Sequence, residues 1–338
     1  DVDDAGDASV WINGDTSSAQ DWQVPENWQD GKVPAAGADV IVKASAYINF
    51  AGADLGSITH EDGVLQIDSS GTQMTLRGDF TSTGANVTLN NTPIALTSGE
   101  HVFTVSGAFQ HDIASVFSGT DVVFVKKGVG SFGVTLGGAA VYTYTGEFRL
   151  LEGTLITGST NSSCWQNYLF SGISKFTLAG TLSMYNYYKL NKDVELVVLE
   201  GGKITWTGNY GSYGFTMTVK KASYLGMPCA AGNWGSSAAG SGARLAPFIS
   251  TGNDKARLIV SECESDVSCY TGRGGFDSAN ACHWTGAVSA DWTNAENWKD
   301  GKVPTDGNDV FIDATAACTP DPATVPALVV RDFIDQKP

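Results

Sequence analysis

Long apolar runs and excess positive charge are both missing from this chain of 338 residues. No stretch approaches the roughly 20 consecutive apolar residues of a membrane-spanning helix, so no membrane span is expected in this segment. Lys and Arg number 20 against 36 Asp and Glu, a formal charge of −16. That sign argues against a nucleic-acid partner, whose binding rests on basic surface and counterion release. Methionine is scarce, at four, and charged residues make up only 17% of the chain. Nowhere do apolar side chains recur at i, i+3, i+4 and i+7 for long enough to make a helix. Forty glycines set among Ser, Thr and Asn point instead to short strands joined by many turns, an all-β chain long enough to bury a large core. The start at Asp1, with no initiator Met and no signal peptide, reads as a mature or processed end.

Catalytic and metal-binding patterns are thin as well. Cys164, Cys229, Cys263, Cys269, Cys282 and Cys318 lack the C-x₂-C spacing of a zinc site and suit three disulfides in an oxidising, extracellular compartment. Proximity suggests Cys263–Cys269, Cys282–Cys318 and Cys164–Cys229, although six cysteines permit 15 connectivities and the sequence does not choose between them. No G-x-S-x-G elbow occurs, and His60, His101, His111 and His283 lie in apolar or alternating contexts that suit hydrogen-bonded structural roles. A polysaccharide lyase or hydrolase site would draw on Asp79, Asp112 and Asp121 with Arg77 or Lys126. These residues fall in different registers, so no catalytic residue is assigned and no enzyme is expected. Asp1, Asp3, Asp4 and Asp7 offer oxygens to Ca²⁺, the one cofactor the composition admits. They lack the spaced ligands and closing Glu of an EF-hand loop, so they read as a solvated tail and no metal ligand is assigned. Asn86, Asn90 and Asn161 each open an Asn-x-Ser/Thr sequon and are glycosylation candidates in a eukaryotic source.

What is present is one motif written twice. Asp21-Trp22, Glu26-Asn27-Trp28, Asp30-Gly31-Lys32-Val33-Pro34, Gly37 and Asp39-Val40 recur as Asp291-Trp292, Glu296-Asn297-Trp298, Asp300-Gly301-Lys302-Val303-Pro304, Gly307 and Asp309-Val310, at a constant offset of 270 residues. The weaker pairs Leu55/Val325, Ile58/Leu328 and Asp62/Asp332 extend the match without a gap. Trp11, Trp22 and Trp28 answer Trp284, Trp292 and Trp298, so six of the nine tryptophans belong to this motif. They read as a packed cap and an assembly joint rather than a ligand platform. The chain divides into an acidic N-terminal segment with the Trp-rich module (1–42), a β-helix (43–222), a Gly/Ser-rich excursion with Cys-containing loops (223–282), and the start of a second repeat unit (283–338).

A shorter rhythm runs between the modules. Leu76-Arg77-Gly78-Asp79-Phe80 matches Val105-Ser106-Gly107-Ala108-Phe109 at 29 residues, Gly153 matches Gly180 at 27, and Leu182 matches Ile204 at 22. Those are circuit lengths of a parallel β-helix, with glycine at the corners. The stretch Lys127-Gly128-Val129-Gly130-Ser131-Phe132, with Tyr144-Thr145-Gly146 and Gly153-Thr154-Leu155, resembles the autotransporter-associated β-strand repeat, K-x-G-x-G-x-L followed by Y-T-G and G-T-L. Phe132 and Glu147-Phe148 depart from that pattern. The Trp-rich module is similar to the W-x-G…NW…GxxP segments that precede β-helices in very long extracellular proteins. The resemblance implies a right-handed parallel β-helix in a large secreted or surface-displayed protein, and it brings no catalytic residue with it.

The expected function is therefore a non-enzymatic extracellular structural protein. Its β-helical unit, with a Trp-rich capping module at each end of the repeat, assembles with copies of itself end to end into a filament or a long cell-surface stalk. The alternative is an adhesin that binds extracellular polysaccharide or a protein partner. With Leu182 and Ile204 in register, Met184 stacks on Trp206 and Tyr188 on Tyr210, beside Tyr185, Tyr187 and Tyr213. These six aromatics are either a glycan platform or an internal ladder.

Overall fold

The computed structural model describes residues 8–112, 114–134, 142–157, 168–184, 189–206, 216–236, 243–250, 256–263, 282–305, 308–312, 316–326 and 332–335. It is a parallel β-solenoid in which each circuit lays one short strand on each of three faces. The first face begins with Ser9–Trp11 and Ala38–Val42 and proceeds through Phe80–Ser82, Gly99–Val105, Val122–Lys127, Gly146–Leu150, Ile173–Leu178, Glu195–Val198 and Lys221–Tyr224. The second is a nine-stranded sheet from Gln20–Asp21 and Ala46–Asn49 to Thr181–Met184 and Lys203–Trp206. The third carries Met74–Leu76, Ile94–Leu96 and Phe117–Ser118, and bridges on through Tyr142 to Phe170. Asp54–His60 turns the corner between faces, since Leu55 pairs with Leu76 and Ile58 with Phe80. Strands two to seven residues long with alternating buried and outward side chains are what the Val/Ile/Thr/Phe-rich segments dictate.

Glycine sets the corner between the first and second faces. Gly84, Gly107, Gly130, Gly153 and Gly180 stand one above another, and a Cβ on each of the last four would meet a carbonyl of the glycine corner one circuit earlier. The expected 27-residue step from Gly153 to Gly180 and 22-residue step from Leu182 to Ile204 are both in register. The 29-residue match is corrected. Phe80 pairs with Phe103 and Phe109 pairs with Val87, so Gly78 and Gly107 lie at different corners. The two pentapeptides share a composition because every corner here asks for a small residue between an inward apolar side chain and the next. At another corner Ser69, Thr92 and Ser115, all fully buried, form a ladder. Ser69 N donates to Thr92 Oγ1 at 3.0 Å and Thr92 N donates to Ser115 Oγ at 3.0 Å, so each hydroxyl satisfies the turn of the circuit before it.

The interior is stacked aromatics. Phe80, Phe103, Phe124, Phe148 and Phe176 follow one another at centroid spacings of 5.6, 4.3, 5.1 and 5.2 Å with nearly parallel rings. The second face adds Phe109 on Phe132 at 4.6 Å, and the third adds Tyr142 on Phe170 at 4.4 Å. Parallel strands repeat their side chains at the strand spacing, and that spacing suits offset ring stacking. One charged group interrupts the apolar column. Lys126 pairs in register with Phe103 on one side and Leu150 on the other, fully buried. Its Nζ donates to Lys127 O at 2.6 Å, Gly128 O at 2.7 Å and Glu152 O at 3.4 Å. Burial pulls the amine down to about 8, against the opposing attraction of the Glu152 carboxylate. Lys126, rather than Lys127, is thus the lysine two residues before Gly128 in the K-x-G-x-G pattern.

The buried histidines link stability to pH. Burial depresses His111 to about 4, and burial also lowers His60. His111 Nε2 lies 2.9 Å from Tyr142 OH and His60 Nδ1 lies 2.9 Å from Ser82 Oγ. The unfolded histidine takes its proton near pH 6.5, where the folded one refuses it. The His111 contribution is whole above that pH and is lost as pH falls from about 6.5 to 4, at about 1.4 kcal/mol per pH unit. Thermal melts at pH 7 and 4.5 are expected to show this slope, and His111→Phe should flatten it while lowering stability at pH 7.

Both ends of the solenoid depart from parallel pairing. At the start, Trp28 runs antiparallel to the outer edge of Ser9–Trp11, with Ile12 N donating to Asn27 O at 2.9 Å and Gln29 N to Val10 O at 2.9 Å. At the finish, Met227–Pro228 lies antiparallel on Lys221–Tyr224, and Gly232–Gly235 lies antiparallel on Arg257–Val260. Ser250 N donates to Ile204 O at 2.9 Å on the remaining face. The segment expected to be an excursion therefore supplies strands that pair with the last circuit's edges. Residues 282–335 then open a separate three-stranded sheet, Cys282–Trp284, Asp309–Ile312 and Asp332–Asp335, with a core of its own.

Candidate functional site

The two Trp modules are the most regular feature that is not part of the circuit repeat. In each, a 3₁₀ turn, Pro25–Asn27 or Ala295–Asn297, delivers a tryptophan in extended conformation, φ −113° and ψ 141° at Trp28 against φ −114° and ψ 139° at Trp298. Trp28 Nε1 donates to Trp22 O at 2.7 Å and Trp298 Nε1 to Trp292 O at 2.8 Å. The preceding asparagine organises the loop: Asn27 Nδ2 donates to Asp21 O at 2.7 Å and Asn297 Nδ2 to Asp291 O at 2.8 Å. Trp11 meets Trp28 edge-on at 5.1 Å, and Trp284 meets Trp298 edge-on at 5.0 Å. Gly31 and Gly301, with φ of +66° and +65°, reverse the chain after each module. All six tryptophans are buried. Asn27 and Asn297 were missed as site residues, although their recurrence beside each Trp was the available signal.

The copies differ where the module meets its next circuit. Trp11 pairs with Val42 and Trp284 with Ile312, so the first tryptophans are 273 residues apart and the loop before Trp292 is three residues shorter than its counterpart. The gapless extension to Asp62/Asp332 is also corrected. Val40 pairs with Ile58 whereas Val310 pairs with Phe333, which places five extra residues in the second copy between these strands. In the pairing register Phe333 takes the place that Ile58 holds in the first copy. Leu328 lies outside the described residues. Trp22 Nε1 donates to Ala51 O at 2.9 Å, while Trp292 Nε1 is buried with no acceptor among the described residues.

The remaining predicted residues are scattered. Trp206 is buried on the inner side of Lys203–Trp206, 7% exposed, and pairs in register with Met184. Tyr185, Tyr187, Tyr188, Tyr210 and Tyr213 lie outside the described residues. Arg77 is paired with Asp54 by two bonds, 2.6 and 2.7 Å, which holds the carboxyl below its usual range. Asp79 accepts from Val102 N, and Asp112 from Asn91 N and Ser115 N, all within 2.9 Å. Asp121 stands in the left-handed region with φ 55°. The carboxylates of Asp54, Asp79 and Asp112 staple neighbouring circuits, and the structure does not gather the candidate carboxylates into one site. Among the described residues no three His, Cys, Asp or Glu gather as a metal site, and Asp1, Asp3, Asp4 and Asp7 lie outside them. Asn86 is exposed at the start of Asn86–Asn90, Asn90 is half-buried, and Asn161 is outside the described residues.

The disulfide framework is corrected in part. Cys229 and Cys318 are free thiols, which removes Cys282–Cys318 and Cys164–Cys229. Burial pushes the Cys229 thiol up to about 12. Cys282 Sγ is turned to Asn308 Oδ1 at 3.8 Å, whereas Cys318 Sγ is held by Ser289 O at 3.2 Å and Gly286 O at 3.5 Å. Cys282 stands where the first copy has Ser9, so its place is a strand position and not a disulfide position. Cys263 is not among the free thiols, and Cys164 and Cys269 lie outside the described residues.

No family model, curated protein or solved structure matches the chain. The parallel β-solenoid implied by the autotransporter-repeat resemblance is present in the fold itself, with Gly130 and Gly153 of that resemblance at one corner, a circuit apart.

Proposed function

We propose that this chain is a non-enzymatic extracellular structural protein, a right-handed β-solenoid unit with a Trp-rich capping module that joins end to end in a filament or a long surface stalk. The observation that carries this reading is the second Trp module. The same asparagine and indole hydrogen bonds open two separate cores in one chain, and a unit is duplicated in this way where the task is to extend. The scattering of the candidate carboxylates, with Asp79 and Asp112 each engaged with a neighbouring circuit, supports a role without catalysis. The acidic charge suits an extracellular setting, and Cys263–Cys269 is the pairing still proposed. Self is the proposed partner. Trp206 faces inward, and the five tyrosines of the glycan-binding alternative lie outside the described residues.

Electron microscopy of native material tests the reading. Filaments or stalks with a regular axial repeat are the expected result. Dispersed globular monomers with glycan affinity would replace it with the adhesin reading.

A further inference from the structure

Exposed apolar side chains are concentrated at the ends of the units. Nine large hydrophobic residues are exposed among the described residues, and only Val129 and Ile156 lie away from a unit end. Ile12 and Val24 stand on the first Trp module, Val288 and Val325 on the second, and Leu199, Leu225 and Met227 on the circuits that finish the first unit. The last three are neighbours along adjoining strands. Val198 pairs with Tyr224, which places Leu199 beside Leu225, and Tyr224 pairs antiparallel with Met227.

Leu225 is the telling residue. It and Gly226 form the two-residue connection between Lys221–Tyr224 and Met227–Pro228, with φ of 50° and 84°. Such a connection prefers Asn-Gly or Asp-Gly, because both central residues are left-handed. Among the described residues three other non-glycine positions have positive φ, and all are small and polar: Ser70, Asn91 and Asp121. Of these four only Leu225 places a branched apolar side chain there, 51% exposed. Backbone strain spent on an exposed apolar side chain points to something outside the unit.

Charge supplies the identity of that partner. Between residues 171 and 260 there are nine basic and four acidic side chains, although the whole chain is at −16. Between residues 8 and 62, the first Trp module and its following circuits, there are eight acidic and two basic. We infer that the Leu199–Leu225–Met227 tip of one molecule docks on the Trp module of a second copy of this chain, apolar against Ile12 and Val24 and basic against acidic. Antiparallel segments already lie on an edge strand at each end, Trp28 on Ser9–Trp11 and Met227–Pro228 on Lys221–Tyr224, so the contact is made by side chains rather than by strand addition there. Head meets tail, and a heterologous contact of this kind propagates as an open filament. The inference rests on the proposed end-to-end assembly and names the surface that performs it.

Sedimentation velocity of the full chain over a range of concentrations, at low and high salt, tests it, with negative-stain microscopy of the same samples. The wild type is expected to associate end to end and to do so less at high salt, as attraction between exposed opposite charges requires. Leu225→Asn and Met227→Ser together should weaken association at least tenfold while the melting temperature stays level or rises, since Asn suits the left-handed position. Undiminished association in the double variant overturns the tip as the contact and leaves the filament reading standing. A wild type that stays monomeric at every concentration overturns the docking, and the tandem covalent stalk then remains to be judged on native material. A lower melting temperature for Leu225→Asn alone would assign Leu225 to the unit's own packing and also overturn the inference.

Discussion

Gly107→Ala is expected to cost about 3–5 kcal/mol, enough to lower the melting temperature of the solenoid by about 10 °C. The added Cβ would fall inside the carbonyl of Ala85 and 2.8 Å from Gly84 O, backbone atoms of the circuit before it. Neither side can yield cheaply. Ala108 N donates to Ala85 O at 3.1 Å directly beside the glycine, and Gly130 stands against Gly107 from the following circuit. Parallel strands hold their circuits at about 4.8 Å, so room for a methyl group has to come from broken ladder bonds. Gly14→Ala is the control: its Cβ would approach nothing nearer than Ser45 O at 3.9 Å, and a change within about 0.5 kcal/mol is expected. Thermal melts of the two variants decide the matter. Gly107→Ala melting within a degree or two of the parent would show that the corner column is not a steric requirement.

Trp298→Ala should abolish the second module while leaving the main unfolding transition in place. Its core consists of Cys282, Trp284, Trp292, Trp298, Val310, Ile312 and Ala316, with Val303 and Cys318 packed against it. Removing a buried tryptophan costs about 3–5 kcal/mol, comparable to the whole stability of a small domain. The same change also strips the edge-on contacts to Trp284 and Trp292, at 5.0 and 4.6 Å. Trp28→Ala makes an identical chemical deletion in the larger core, which runs continuously from Trp11 to Val260. That variant should lower the main transition instead. Hydrogen exchange at Trp284 and Trp292, read beside calorimetry, separates the two outcomes. Equal loss of the main transition in both variants would mean that the cores unfold as one.

How much of this was legible before the fold can be judged at particular residues. The step from Leu182 to Ile204 and that from Gly153 to Gly180 gave the circuit correctly, because inward side chains and corner glycines recur once per turn. The 29-residue match failed because a corner's composition is alike on all faces, and composition alone does not tell one corner from another. Lys126 looked like a cation available for chemistry. Only its register between Phe103 and Leu150 revealed an ammonium folded onto three backbone carbonyls. Cys282 and Cys318 were near enough in sequence to suggest a bridge, yet their sulfurs turn to different carbonyl oxygens.

The sequence by itself determined an all-β solenoid, its circuit length, and the duplication of the Trp module, since each follows from periodic spacing along the chain. Tertiary structure alone decided which residues stand over which, how the first and last strands are closed by antiparallel neighbours, and that the second module opens a separate core. Those are matters of register and of edge hydrogen bonding between distant segments. Leu225 belongs to the same class: as a letter it is an ordinary leucine, and only the backbone shows it left-handed and exposed at the end of a unit.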